Sequence, residues 1–353
     1  MRPILRLGLL WLLVLAVFAG FCAIYWPVRL YQWKTDPANF LVYADELIEE
    51  GATGKAVGVL ESGIAELHPP GPAAYQKLHA LLVGLGRETA ARALEPRLFF
   101  ARAHQAHETH AAMRDKLLAR AASAYLDANP APAFTPPVQQ ALEMMAVDLV
   151  QPLGAHSTIQ AMPAAAHFAL LNVAGGRFSL DGTVGGTGVA APADILVQSG
   201  GGQGVHRTAH IMVHGQDYAR SVRGIHVALI APDSGHVLRH WAFDVYESPS
   251  EAARMTAFLR EAPDGVIGAF AVFDDGSVHV TPTLERELRN FGMRRMARDH
   301  HEMVLIGLRH SFAAIGVKGA QPGTALQAWT PEEFNGYTGL PVAAGVLHAG
   351  DTS

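Results

Sequence analysis

A single cysteine, Cys22, occurs in 353 residues, and it lies inside an apolar stretch near the N-terminus. The rest of the chain therefore makes no disulfide and no cysteine-built metal site. Charge is sparse too. Only 17% of residues are Asp, Glu, Lys or Arg, the net charge is -5 and the pI is near 6.4. That balance excludes nucleic acid as a main partner, because phosphate binding needs a basic surface. Catalytic signatures are missing: there is no Gly-x-Ser-x-Gly elbow, no Ser-x-x-Lys and no His-Glu-x-x-His. Two glycine-rich stretches, Gly182–Gly188 and Ser199–Gly204, lack both the Gly-Lys-Ser/Thr of a phosphate loop and the dinucleotide fingerprint. They read as hairpin loops.

What is present is a chain half hydrophobic, enough for a sizeable core and too apolar for disorder. Eighteen histidines raise the question of a metal. His206, His210 and His214 recur every fourth residue, and His104, His107 and His110 every third. Neither set has an acidic ligand in a known motif, so both read as exposed polar faces, and no metal or cofactor is expected. Asp274 and Asp275 are adjacent in a turn and diverge, whereas glycosidase carboxylates face each other across ~5–9.5 Å. No catalytic residue emerges, and the expectation is a binding protein rather than an enzyme.

No charge occurs from Leu7 to Val28. At ~1.5 Å per residue this stretch makes roughly 33 Å of helix, enough for a ~30 Å hydrocarbon core. Arg2 and Arg6 precede it, and Tyr25, Trp26, Tyr31 and Trp33 cluster at its far edge as interfacial aromatics do. The expectation is an anchor over residues 1–30, with residues 7–28 in the inner membrane. It is single-pass, with the bulk of the chain extracytoplasmic (periplasmic). A cleaved signal peptide is the alternative.

Residues 36–128 read as helices, from alanine and leucine at helical spacing. Gly51 followed by Ala56 is echoed 35 residues later by Gly86 followed by Ala91. With Phe40, Tyr43, Ala44, Leu47 and Leu60, this spacing resembles tetratricopeptide repeats, a helical-hairpin family that serves as a surface for protein partners. An ordinary helical bundle is the alternative. A proline-rich linker and a helix over 138–150 fill residues 129–160. From about 161 to 330 short alternating segments read as strands: His167–Val173, Arg177–Leu180, Asp194–Ser199, Ala209–Val213, Gly224–Ile230, Val237–Phe243, Val266–Phe273, His301–Leu308 and Phe312–Lys318. Pro232-Asp233-Ser234-Gly235 is a hairpin turn. Ser248-Pro249-Ser250-Glu251 and Thr281-Pro282 start two helices. Residues 331–353 read as a tail. The fold class is α+β: a transmembrane helix, helical hairpins, then antiparallel sheet flanked by helices.

The later segments carry a resemblance. Arg223-Gly224-Ile225-His226-Val227, Phe243-Asp244-Val245-Tyr246, Asp274-Asp275-Gly276-Ser277 and Gly307-Leu308-Arg309-His310-Ser311-Phe312 stand in matching order and spacing. So does Ile315-Gly316-Val317-Lys318-Gly319-Ala320. Over roughly 194–329 the chain resembles the interleukin-like EMT inducer (ILEI, PANDER-like) domain family. The segment Gly316–Ala320 with Pro322–Ala325 is most like bacterial members. The resemblance implies antiparallel sheets flanked by helices and a non-catalytic role, which in stem domains of glycan-handling enzymes is sugar binding. The residues it implies as carbohydrate ligands are Arg223, Asp274 and Arg309. The trio also suits a sugar chemically, since guanidinium offers five fixed donors and carboxylate four acceptor sites. An internal salt bridge from Asp274 to either Arg is the competing use. The family's Trp is Phe312 here and its Asp is His310. The readings left open are a membrane-tethered carbohydrate-binding protein, accessory to envelope glycan assembly, and a scaffold that engages a protein partner through the helical hairpins.

Overall fold

Apolar residues at three- and four-residue spacing wind the first half of the chain into helices. In the computed structural model, which describes residues 39–66, 71–106, 110–202, 207–299, 302–330 and 340–348, these are α1 (Phe40–Glu49), α2 (Thr53–Glu66), α3 (Pro72–Gly84), α4 (Glu88–Gln105) and α5 (Ala111–Ala128). The repeat in the sequence has a backbone cause. Gly51 and Gly86 both take positive φ. Ala52 N–H donates to Leu47 C=O and Gly51 N–H to Ile48 C=O; Arg87 and Gly86 do the same to Leu82 and Val83. This is the Schellman ending, in which a left-handed residue satisfies the last carbonyls of a helix. Ala56 and Ala91, five residues on, are buried early in the following helix. The structure thus shows two α-hairpins of one design; the finer tetratricopeptide assignment is not supported.

The prolines at 130–137 stop the helical run, and α6 (Pro136–Val150) begins on two of them, where the missing N–H costs nothing. After α7 (His156–Gln160) comes α8 (Ala164–Val173). Residues 167–173 are therefore helix, not the expected strand. Apart from His167 and Asn172 the segment is apolar and shows no period, and α8 is buried nearly all round.

The remainder supplies β1 (Arg177–Ser179), β2 (Ile195–Gly201), β3 (Thr208–Val213), β4 (Gln216–Asp217), β5 (Gly224–Ile230), β6 (Val237–Phe243), α9 (Pro249–Arg260), β7 (Ile267–Asp274) and α10 (Pro282–Arg289). There follow β8 (Ala297–Asp299), β9 (Glu302–Val304), β10 (Ser311–Val317), β11 (Leu326–Thr330) and β12 (Val342–Val346). β8 and β9 make a separate small hairpin, so the strand expected over 301–308 shrinks to Glu302–Val304. The other ten strands form one sheet. It is mixed, not antiparallel as expected. β1 pairs with β12 in parallel, and β2 with the end of β7. Hairpin signals disclose only neighbours in sequence, and these partners lie far apart. The stretch read as a tail contributes β12, fully buried between β1 and β2.

Alternate side chains of the sheet, among them Val197, Ile211, Ala228, Ala269, Ile315 and Ala344, meet in an inner core. The opposite side of β5, β7 and β10 is covered by α9 and α10 through Met255, Leu259 and Leu288. The outer side of β2 and β12 is covered by α6 and α8 through Leu142, Met145, Leu149 and Leu170. Polar contacts fasten α6 as well. Gln198 Nε2 donates to Met145 O (2.7 Å), Thr208 Oγ1 to Asp148 Oδ2 (3.0 Å), and His210 bridges Asp148 (2.9 Å) and Asp217 (2.5 Å).

The transmembrane part of the expected fold class is corrected. No helix among the described residues is long and apolar enough to cross a membrane. The 7–28 stretch and the anchor over 1–30 lie outside the described residues. The fold of the described residues is α+β, and the single-pass inner-membrane placement has no structural support.

His210 makes a pH prediction. Burial opposes its charge, but hydrogen bonds and attraction from Asp148 and Asp217 outweigh that and push its pKa up to about 9. The stabilisation is complete below the unfolded value near 6.5 and is lost as pH rises through 9, in total roughly 3 kcal/mol. Melting temperature should therefore fall between pH 6.5 and 9.5. In His210→Gln that fall should vanish. An equal fall in the variant assigns the titration to another group.

Candidate functional site

β7 and β10 run side by side from Ile267 and Val317 to Ala271 and Ala313, then part. The glycine-rich end of β2 enters the gap, with Gly200 and Gly201 paired in parallel to Phe273 and Asp274. One hydroxyl spans the split: Ser199 Oγ donates to Val272 O (2.6 Å) and accepts Phe312 N–H (2.8 Å). Gly201 N–H donates to Ser311 Oγ (2.9 Å). A Cβ on Gly201 would stand 2.4 Å from the carbonyl oxygen of Arg309. The glycines are thus a strand end that lets another backbone come close, and the hairpin-loop reading of Ser199–Gly201 is corrected.

Three described non-glycine residues hold a left-handed backbone: His214 (φ 51°), Asp274 (φ 64°) and Arg309 (φ 57°). His214 turns the chain between β3 and β4, where that conformation is ordinary. Asp274 and Arg309 flank the split, and each conformation costs about 1–2 kcal/mol. Asp275 holds one of them. It is 1% exposed; its Oδ2 accepts Arg309 N–H (3.2 Å) and its Oδ1 accepts Ser277 N–H (2.8 Å) and O–H (2.7 Å). Burial raises its pKa, the three hydrogen bonds pull it back, and the charge of Asp274 adds to the rise. The sequence does carry a signal for Asp275, since Asp-x-Ser is an Asx-turn pattern. Its grip on Arg309, 34 residues away, is not encoded in that spacing.

The side chain of Asp274 pairs with Arg207 (3.1 Å), which lies 6.0 Å from the Phe273 ring centroid. The pair therefore joins Asp274 to neither expected arginine. Arg223 is engaged elsewhere. Its Nε and Nη2 meet Asp244 at 3.0 and 2.9 Å, Nη2 meets Glu247 at 2.5 Å, and its guanidinium lies 4.4 Å from the Tyr246 ring centroid. The signature His226 shapes the bend before it. Its Nδ1 faces Arg220 N–H (3.3 Å) and so must accept, which leaves Nε2–H to donate to Val222 O (2.8 Å). Burial lowers its pKa and keeps the ring neutral. Gly224 stands opposite Phe273, so the backbones of Arg223 and Asp274 reach the same end of the sheet. Arg309 reaches it through β10. The backbones converge, then, while the Arg223 side chain turns to its own acids. Phe312 offers no platform, being 1% exposed.

Residues 223–320 match the family Interleukin-like EMT inducer. The match begins on Arg223 and contains all three expected ligands. A segment of 121 residues is 30% identical to the human cell migration-inducing and hyaluronan-binding protein. It makes up 34% of this chain and 8% of that protein, and the mouse counterpart matches to the same extent. The chain thus spans a small part of the relatives it resembles. β2 and Arg207, which complete the split, lie outside the stretch that matches the family.

Among the described residues no group of three or more His, Cys, Asp or Glu is placed to hold a metal. Of the spaced histidines, His210 is taken up by its two carboxylates. His107, His206, His300 and His301 lie outside the described residues.

Proposed function

We propose that this chain is a binding protein, not an enzyme, whose domain at 223–320 takes a carbohydrate at the split between β7 and β10. The observation that carries the reading is the pair Asp274 and Arg309. Both are non-glycine residues held left-handed at one end of the sheet, and conformational cost of this kind concentrates at ligand sites. A carboxylate and a guanidinium there supply the acceptors and donors that a hydroxyl-rich ligand needs. The hyaluronan binding named for the human relative supports the same class of ligand. Arg223, committed to Asp244 and Glu247, serves to brace the rim and is not a ligand contact.

The test is calorimetric titration of the full chain, with hyaluronan oligosaccharides beside neutral glycans chosen from an array. Asp274→Asn removes a charge-assisted bond worth ~1.5–3 kcal/mol, so affinity should fall roughly 10- to 100-fold. Stability should barely move, because Arg207 is 42% exposed and such pairs contribute about 0–1 kcal/mol. Arg223→Gln should show the reverse, with affinity kept and the melting temperature lowered. Unchanged affinity in Asp274→Asn rejects the site.

A further inference from the structure

At the other end of β10 lies a concavity of about 180 Å³, lined by Arg177, Arg294, Met296, Leu326 and Gln327 among others. Leu326 faces Ile315, four residues along β10 from the Ser311 end that borders the split. Two guanidinium groups therefore border one cleft, and neither has a carboxylate partner among the described residues. The Arg177 guanidinium donates one hydrogen bond among the described residues, to Gly176 O (3.3 Å). A third cation, Arg97 of α4, adds a repulsive charge. Partial desolvation first, and then Arg97, lower the Arg177 pKa, although the residue keeps an exposed surface.

The cleft is held in shape. Gln327 Oε1 accepts Arg294 N–H (3.1 Å) and its Nε2 donates to Arg294 O (2.8 Å), a two-bond clamp on the backbone that bears the arginine. Gly323 and Ala325 N–H both donate to Gly292 O, which ties down the opposite lip. Arginines gathered without acids, on a fixed backbone around a cavity, are paired most favourably by an oxoanion. The planar guanidinium binds carboxylate and phosphate oxygens two at a time.

We propose that the cleft between β1 and the start of β11 is an anion-binding site, in which Arg177 and Arg294 take the carboxylate or phosphate group of a ligand. It is independent of the carbohydrate reading at the β7–β10 split. The two sources of the anion separate by experiment. The full chain is titrated at low salt with glucuronate and with inorganic phosphate, and each is matched against chloride at equal ionic strength. Binding of either supports the site, and the tighter of the two identifies an acidic sugar or a phosphorylated group as its source. Arg177→Gln and Arg294→Gln should each weaken binding about tenfold or more. Both variants should keep or raise the melting temperature, since each removes a charge that no carboxylate among the described residues balances. Asp274→Asn should leave phosphate binding intact, so failure at one site is distinguishable from failure at the other. No response to glucuronate or phosphate beyond the chloride control overturns the proposal. So does equal binding by wild type and both variants.

Discussion

A fragment of residues 161–353 is expected to show no cooperative thermal transition. α6 is not an appendage of the sheet but the cover of one of its faces. Leu142, Met145, Ala146 and Leu149 are all 0% exposed, packed in one cluster with Leu196 of β2, Ala343 of β12 and Leu170 of α8. Burying a leucine or methionine contributes about 1.5–3 kcal/mol, so three such side chains approach the whole 5–15 kcal/mol that keeps an ordinary domain folded. Removing α6 also takes Asp148 from His210 and Thr208, and the Met145 carbonyl from Gln198, which is 0% exposed. The fragment should bind a hydrophobic dye and lose its ellipticity gradually. A fragment of residues 136–353 should regain a sharp transition, because it restores α6. A sharp melt of 161–353 at the temperature of the full chain would show that α6 is dispensable.

That expectation runs against the sequence, where the prolines between 130 and 137 look like a domain boundary. They mark only where one helix stops and another starts. What a helix packs on is set by its buried stripe, and the partners of the α6 stripe are strands 50 to 200 residues further on. Local chemistry was legible where it is self-contained. Pro232–Gly235 turns β5 into β6. Ser248 Oγ accepts Ser250 N–H and Thr281 Oγ1 accepts Leu284 N–H, capping α9 and α10 where the sequence places their starts. Long-range pairing was not legible: the parallel contacts of β1 and β2, and the entry of β12 into the sheet, join segments with no shared turn. The candidate site divides the same way. The backbones of Arg223, Asp274 and Arg309 converge because the strands that carry them do. The partners of their side chains and main chain, Arg207, Asp244 and Asp275, lie at separations that no motif specifies.

The remaining prediction turns on the cost of the left-handed residues. Asp274→Gly and Arg309→Gly should each reduce carbohydrate affinity roughly 10- to 100-fold, for loss of a charged, directional contact, and Asp274→Gly should leave the protein as stable as before. Glycine relieves about 1–2 kcal/mol of left-handed strain and gives back about 0.5–1 kcal/mol in the flexibility of the unfolded chain. Asp274 also gives up its pairing with Arg207, which is 42% exposed, about 0–1 kcal/mol. These contributions nearly cancel. Asp275→Ala has the opposite character. It strips the half-buried donors of Arg309 and Ser277 of their acceptor, which costs up to about 1–3 kcal/mol for each donor left unmade. It should lower melting temperature and affinity together, since it releases the bend that aims Arg309. A residue kept in a costly conformation for packing alone should lose nothing but strain when it becomes glycine. Glycine variants that bind as tightly as the wild type would therefore remove Asp274 and Arg309 from the site, and the split between β7 and β10 would be only the place where the sheet closes.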